Sequence, residues 1–165
     1  MNNIFYTGPK LTDLHEQYAK QGRIDEHAPI TTTSTITINA PVERVWQQLV
    51  NLAEWPTIDP NFRNVHLTSG VTPDADFRFT LRNFPIKAKF ALVEPPHRLA
   101  WTGVSLWFQA VDLHILEPLT NELTRHTIQE SFAGVLASVL MSRDQLRQQH
   151  EQWLHAFKRA VEVYR

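Results

Sequence analysis

The chain has 165 residues, of which 42% are hydrophobic and 20% charged, and its formal net charge is −1. This length and composition are typical of one globular domain that buries its own core, and they exclude a disordered chain. The balanced charge excludes a nucleic-acid surface, which needs clustered lysine and arginine. The absence of cysteine excludes disulfides, thiolate metal sites and cysteine nucleophiles.

The sequence shows no targeting or membrane-spanning segment. Residues Met1 to Lys10 contain no apolar stretch of the kind found in signal peptides. The longest mostly apolar run, Phe132 to Met141, is too short to cross a bilayer. We therefore expect a cytoplasmic protein without stable membrane insertion.

Residues 1–30 are predicted to form an N-terminal arm with a short amphipathic helix, followed by a domain over residues 31–165. Asp13 and Glu16 have the spacing of a capping box, and Gly22 is a typical helix stop. We expect the arm to pack on the domain, with a lid or a dimer contact as the alternative. One helical face carries the apolar residues Leu11, Leu14 and Tyr18.

A strand and a helix are predicted next. Residues Thr33–Asn39 alternate in polarity and predict the first strand. Pro41 suits the first turn of a helix, and Trp55-Pro56 is predicted to end that helical unit, because a residue before proline avoids the helical region. Helical spacing relates Val42, Val45, Trp46, Leu49 and Leu52.

A run of short strands without intervening helices predicts an antiparallel sheet. Asn83–Pro85 is predicted as a turn, and Pro118 is predicted to stop a strand. The predicted strands are Arg63–Thr68, Phe77–Arg82, Ile86–Val93, Arg98–Thr102, Trp107–Leu116 and Thr124–Phe132.

The C-terminal segment is predicted to form one long amphipathic helix. Ser142 and Gln145 make a second capping box, and Leu136, Val139 and Leu140 extend the apolar stripe backwards toward Gly134. Such a stripe must lie across the sheet, which curls around the helix and leaves a cavity. The stripe consists of Leu146, His150, Trp153, Leu154, Phe157, Val161 and Tyr164.

Several stretches, in order, resemble the START-like helix-grip (SRPBCC) superfamily and its polyketide cyclase/dehydrase-type branch. The resemblance implies an α+β helix-grip fold, in which a curved antiparallel sheet wraps around a long C-terminal helix and encloses a cavity. It implies function only broadly, since the superfamily includes lipid carriers, cyclases and hydroxylase domains. The matching stretches are 36–41 (ITINAP), Val45-Trp46, Trp55-Pro56, 93–95 (VEP), 98–103 (RLAWTG), 116–118 (LEP), Thr124 and 130–134 (ESFAG).

Large aromatic residues are candidate walls of the ligand cavity, and plain core packing is the alternative interpretation. Trp153 and Phe157 are the strongest candidates, because their helix should face the cavity. The resemblance implies that Trp55 lies at the cavity mouth. The aromatic ligand-binding candidates are Trp55, Phe79, Phe90, Trp101, Trp153 and Phe157.

Polar residues on neighbouring strands and on the long helix are candidate acid–base groups. Buried histidine and glutamate shift their pKa and act as acids or bases. The catalytic candidates are His126, Glu130 and His150, and His114 joins them as a ligand-binding candidate. Surface or singly hydrogen-bonded side chains are the alternative. A metal site from His114, His126 and Glu130 matches no known ligand spacing, so we expect neither metal nor cofactor.

The sequence does not decide which face of the strand over residues 107–116 points inward. Burial of apolar residues favours an inward Val111, Leu113 and Ile115, whereas the resemblance implies an inward Leu116, and with it Asp112 and His114.

Three functions follow from these alternatives. The first is binding or transport of a small hydrophobic molecule of lipid, polyketide or isoprenoid type, which an apolar cavity with at most one polar anchor would favour. The second is a cyclase- or dehydratase-type enzyme, which two or more inward titratable groups would favour. The third is a protein-interaction module or a homodimer, which an exposed face at Val111, Leu113 and Ile115 would favour.

Overall fold

A computed structural model describes residues 6–163 as one seven-stranded antiparallel sheet with a long C-terminal helix. The strands are β1 Ile30–Ile38, β2 Phe62–Leu67, β3 Asp76–Leu81, β4 Phe84–Glu94, β5 Arg98–Ser105, β6 Phe108–Thr120 and β7 Leu123–Gly134. Their order in the sheet is β1-β7-β6-β5-β4-β3-β2. The helices are α1 Leu11–Asp13, α2 Val42–Val50, α3 Trp55–Ile58, α4 Ala137–Leu140 and α5 Arg143–Val163. The α+β helix-grip fold predicted from the sequence is confirmed.

Alternating side chains give the sheet an apolar inner face. In β3, Phe77 and Phe79 are buried while Asp76 and Arg78 are exposed, as the two-residue period of a strand requires. Helix α5 lies across this face and buries its own stripe, which comprises Leu146, His150, Trp153, Leu154, Phe157 and Val161. The main core therefore sits between the sheet and α5. Tyr164, predicted to extend the stripe, lies outside the described residues.

The capping box predicted at the start of α5 is confirmed. The Ser142 amide donates to Gln145 Oε1 at 2.8 Å, and the Gln145 amide donates to Ser142 Oγ at 3.1 Å. The predicted backward extension of the stripe is wrong, since Leu136, Val139 and Leu140 are all exposed. Met141 adopts an extended backbone after α4, which breaks the helical phase between α4 and α5.

The N-terminal arm packs on the outer face of the sheet. Leu14 and Ala19 pack with Ala91 and Val111 in a second apolar cluster. His15 joins the arm to the sheet, because its Nδ1 lies 2.9 Å from Thr102 Oγ1 and its Nε2 lies 2.9 Å from Asp74 Oδ1. The arm therefore covers part of the outer face of β6 instead of the cavity.

Two local predictions in the helices are wrong. Asp13 caps nothing: it has helical dihedrals (φ −70°, ψ −39°) inside a helix that begins at Leu11 and continues as a π-turn. Trp55 is also helical (φ −54°, ψ −43°), and Pro56 lies in the first turn of α3. Tertiary packing overrides the local preference at Trp55, whose Nε1 donates to the Leu49 carbonyl at 3.1 Å. The stop at Gly22 is confirmed, with a left-handed φ of 65°.

The predicted turn at Asn83–Pro85 is present but lies at Arg82 and Asn83, and the predicted strand stop at Pro118 is wrong. Pro85 lies inside β4, opposite Thr80, and Pro118 lies inside β6, opposite Thr124. The strands extend past both prolines because their neighbours continue to pair, with a register shift just after Pro118. Among residues 6–163, no helix combines the length and the apolar character that a membrane crossing requires.

Candidate functional site

A cavity of about 140 Å³ lies between the inner face of the sheet and α5. Most of its wall is apolar and aromatic, with contributions from α3, α5 and β2 to β7. The apolar lining residues are Trp55, Phe62, Phe79, Leu81, Phe84, Ile86, Trp101, Phe108, Ala110, Ile128, Phe132, Met141, Leu146 and Trp153. A cavity of this kind favours a ligand that is itself largely apolar.

Trp55 is the centre of the aromatic wall. Only 1% of its surface is exposed, so it lies inside the core and not at the mouth implied by the resemblance. Its ring centroid lies 5.7 Å from those of both Trp101 and Trp153. Edge-on contacts of 5.4 Å and 6.0 Å join it to Phe62 and Phe79. These rings give the cavity stiff walls, because each one is held by several others.

The cavity has a polar wall formed by Asp112, His114, Glu130 and His150. Asp112 and Glu130 are direct partners in the β6–β7 register, so both carboxylates project from neighbouring strands onto the inner face. Asp112, left open by the sequence, therefore points inward with His114. Ligating atoms of Asp112, Glu130 and His150 all lie within 4.8 Å of one another.

His150 and Glu130 form a buried hydrogen-bonded pair. Nε2 of His150 lies 2.6 Å from Oε2 of Glu130, and Nδ1 lies 3.0 Å from Thr32 Oγ1. Thr32 pairs with Glu130 in the β1–β7 register, which places all three side chains together. The short Nε2–Oε2 distance requires a proton between the two atoms.

Burial and charge shift both members of this pair. Burial raises the pKa of Glu130 above its ordinary value, and the hydrogen bond and charge of His150 offset only part of that effect. For His150, burial opposes the imidazolium, but the hydrogen bond and charge of Glu130, with the charge of Asp112, outweigh it and raise its pKa. The 2.6 Å distance shows that the pair shares a proton, and with both pKa values raised it can give or take a proton inside the cavity.

A second chain of polar groups runs behind Asp112. His114 Nδ1 lies 2.8 Å from His126 Nε2, and His114 Nε2 lies 3.2 Å from Asp112 Oδ1. His126 is fully buried, and this burial lowers its pKa well below the usual value. Among residues 6–163, its Nδ1 has no hydrogen-bond partner. The proton of neutral His126 thus belongs on Nε2, which donates to His114 and leaves the His114 proton on Nε2 beside Asp112.

The structure brings together most of the residues singled out in the sequence. Phe90, His126 and Phe157 are fully buried behind the cavity wall instead of lining it. Lining residues that the sequence did not suggest include Phe108 and Phe132, and Thr32 is the unforeseen partner of His150. The candidates that do line the cavity are Trp55, Phe79, Trp101, His114, Glu130, His150 and Trp153.

Solved structures share this architecture at low sequence identity. A hypothetical protein from Helicobacter pylori has a TM-score of 0.74 and 21% identity, covering 82% of this chain and 90% of its own. The ZhuI aromatase/cyclase from Streptomyces sp. R1128 has a TM-score of 0.64 and 16% identity, with coverage of 80% and 93%. Norcoclaurine synthase from Thalictrum flavum, solved with dopamine and hydroxybenzaldehyde, has a TM-score of 0.64 and 12% identity, with coverage of 82% and 87%. These similarities establish the fold.

Sequence comparison adds the family. No curated protein is significantly similar to the chain. The family described as polyketide cyclase / dehydrase and lipid transport matches residues 29–162, which include the whole sheet and nearly all of α5. The match confirms the resemblance that the sequence showed. The chain therefore belongs to the polyketide cyclase/dehydrase and lipid transport family.

Proposed function

We propose that the protein binds a small, largely apolar, ring-bearing molecule in the cavity and holds its polar group against the polar wall. The observation that carries this proposal is an aromatic cavity that ends in a cluster of polar side chains. A volume of about 140 Å³ is close to that of an engineered cavity that holds benzene, about 150 Å³. Among lipid, polyketide and isoprenoid ligands, this size favours a single ring or a short chain. The cytoplasm is the location we expect for this activity.

Native mass spectrometry of the purified protein, followed by denaturing extraction, tests the binding proposal. We expect a retained single-ring molecule, and we expect Trp153→Ala to reduce its retention because Trp153 lines the cavity. Phe157→Leu is the matched control, since Phe157 lies on the same helix and is buried without lining the cavity. A mass without bound ligand, unchanged after exposure to a library of single-ring compounds, would contradict the proposal.

An acid–base enzyme is the second candidate, and the polar wall favours it. Four titratable side chains meet there, not the single anchor expected of a simple carrier. A base at Glu130 or His150 could remove a proton from carbon next to a ketone, as cyclisation and dehydration require. By contrast, Val111 and Leu113 are buried and Ile115 is half-buried, so the face that would favour an interaction module is not exposed.

Proton exchange at carbon tests the enzymatic candidate without knowledge of the substrate. Acetophenone in D2O is expected to exchange its methyl protons about 10²-fold or more faster with the protein than in buffer, as followed by NMR. Glu130→Gln and His150→Gln should each remove the acceleration, whereas Glu117→Gln, at a side chain that is 56% exposed, should not. Exchange at the buffer rate with the unmodified protein would count against enzymatic acid–base chemistry and leave ligand binding intact.

A further inference from the structure

We propose that the polar wall is a site for an organic ammonium group, so that the ligand is a small ring-bearing amine. This inference rests on the proposed binding function and names the chemical class of its ligand. It depends on three features of the cavity: the net charge of the polar wall, an unpaired carboxylate oxygen, and the aromatic rings around it.

The first feature is the charge of the polar wall. Glu130 and His150 share one proton across a distance of 2.6 Å, so together they carry no net charge. His126 is held neutral and donates to His114, whose remaining proton faces Asp112. With His114 in this tautomer, no other basic side chain lies against the Asp112 carboxyl group among the described residues, and an ammonium group bound there would supply a partner of opposite charge.

The second feature is an acceptor without a donor. Oδ1 of Asp112 is shielded from solvent and has no hydrogen-bond partner among residues 6–163. The His114 ring nitrogen at 3.2 Å is close in distance but not aligned for a hydrogen bond. The Asp112 side chain as a whole is 21% exposed and lines the cavity. A buried carboxylate that lacks donors is costly, and an ammonium group bound against the part of the Asp112 side chain that lines the cavity would offset that cost.

The third feature is the aromatic surroundings, which distinguish an organic cation from a metal ion. Trp101 stacks on His114 with ring centroids 4.9 Å apart, and Trp55 and Trp153 complete the wall nearby. Indole faces attract ammonium groups through their quadrupole, and they also bury the hydrocarbon part of an amine. A hydrated metal ion gains nothing from these rings. The three ligating atoms within 4.8 Å could hold such an ion, so the experiment includes one.

The position of Arg82 does not oppose this assignment. Among the described lining residues it is the only arginine or lysine, and it lies in the turn between β3 and β4. Across the sheet, Asp112 pairs with Trp101, which in turn pairs with Phe90 on β4. Phe84 begins β4 next to that turn, and at the usual rise per residue it lies roughly 20 Å along the strand from Phe90. The backbone of Arg82 is thus well separated along the strands from that of Asp112.

Three single-ring probes of similar size and different charge test the inference. Titration calorimetry with 2-phenylethylamine, 2-phenylethanol and 3-phenylpropionate at neutral pH separates charge from ring burial. We expect the amine to bind about tenfold or more tighter than the alcohol, and the carboxylate to bind most weakly. Asp112→Asn should remove the preference for the amine and leave affinity for the alcohol. Asp59→Asn, at a lining aspartate that already accepts the Asn61 amide at 2.9 Å, should keep the preference.

Each other outcome has a definite meaning. Equal binding of amine and alcohol would overturn the ammonium site and keep the binding proposal. Binding of none of the three probes would overturn both. Binding of Mn²⁺ or Zn²⁺ that depends on Asp112 and excludes the amine would assign the site to a metal ion and overturn the ammonium site alone.

Discussion

Replacing Trp55 with alanine is expected to lower the free energy of unfolding by about 3–5 kcal/mol, as for other large aromatic truncations in a core. The ring contacts Phe62, Phe79, Trp101 and Trp153, and its Nε1 donates to a backbone carbonyl. Its removal would leave a void between α3, the sheet and α5 that these neighbours cannot fill. A loss of this size is a large part of the stability of a typical domain. Urea denaturation measures it.

Trp107→Ala is the matched control, because Trp107 is 47% exposed and its truncation should change stability by less than about 0.5 kcal/mol. Trp55→Phe should fall between the two, since it keeps part of the ring packing and loses the indole hydrogen bond. A loss below about 1.5 kcal/mol for Trp55→Ala would show that the surrounding rings collapse into the space. The aromatic wall would then be soft instead of preformed.

The elements that the sequence predicted best are those whose signal is local. The capping box at Ser142 and Gln145 needs only two residues three apart, and both of its hydrogen bonds are present. The alternation around Phe77 and Phe79 likewise identifies the buried face of β3 without knowledge of its neighbours. Local signals failed where distant packing outweighs them, as at Trp55, whose helical backbone is fixed by its place in the core.

The orientation of β6 shows why part of the site could not be predicted. Both faces of this strand are buried, with Val111 and Leu113 on one side and Asp112 and His114 on the other. Apolar burial alone favours Val111 inside, because the sequence does not reveal that the arm covers the outer face through Leu14 and Ala19. Because the arm covers the outer face, Val111 can be buried there, and the polar residues Asp112 and His114 can face the cavity.

The contact between Thr32 and His150 illustrates a second limit. Thr32 lies 118 positions before His150 in the chain, and the two meet because β1 pairs with β7 while α5 crosses them both. Nothing in the local sequence of β1 distinguishes Thr32 from its neighbouring threonines. The polar wall thus depends on how three elements that are distant in sequence are aligned. The sequence showed which polar residues were available, but not that they would meet.

The polar wall is expected to give stability a maximum near pH 6.5, with separate causes on the two sides. The pKa of His126 is lowered by burial, so the unfolded chain binds a proton that the folded one refuses, and stability is lost as the pH falls below 6.5. The pKa of His150 is raised above its ordinary 6.5, so its contribution is complete below pH 6.5 and is lost as the pH rises through the folded value. Glu130, whose pKa is raised from its ordinary 4.5, adds a loss in the same direction as His150, but this loss begins near pH 4.5 and offsets part of the His126 effect below pH 6.5.

Urea denaturation between pH 5 and pH 9 measures both slopes, each of which approaches about 1.4 kcal/mol per pH unit for one fully linked group. The double variant Glu130→Gln/His150→Gln should remove the loss of stability above pH 6.5 and make the loss below pH 6.5 steeper, because the opposing effect of Glu130 is also removed. His126→Gln retains an amide donor for His114. This variant should remove the loss of stability below pH 6.5 and keep the loss above pH 6.5. Neither Tyr6, whose pKa is raised to about 12, nor Glu162, whose pKa is lowered from 4.5, titrates in this range. If the double variant still loses stability above pH 6.5, the shared proton between Glu130 and His150 is not the source of that loss.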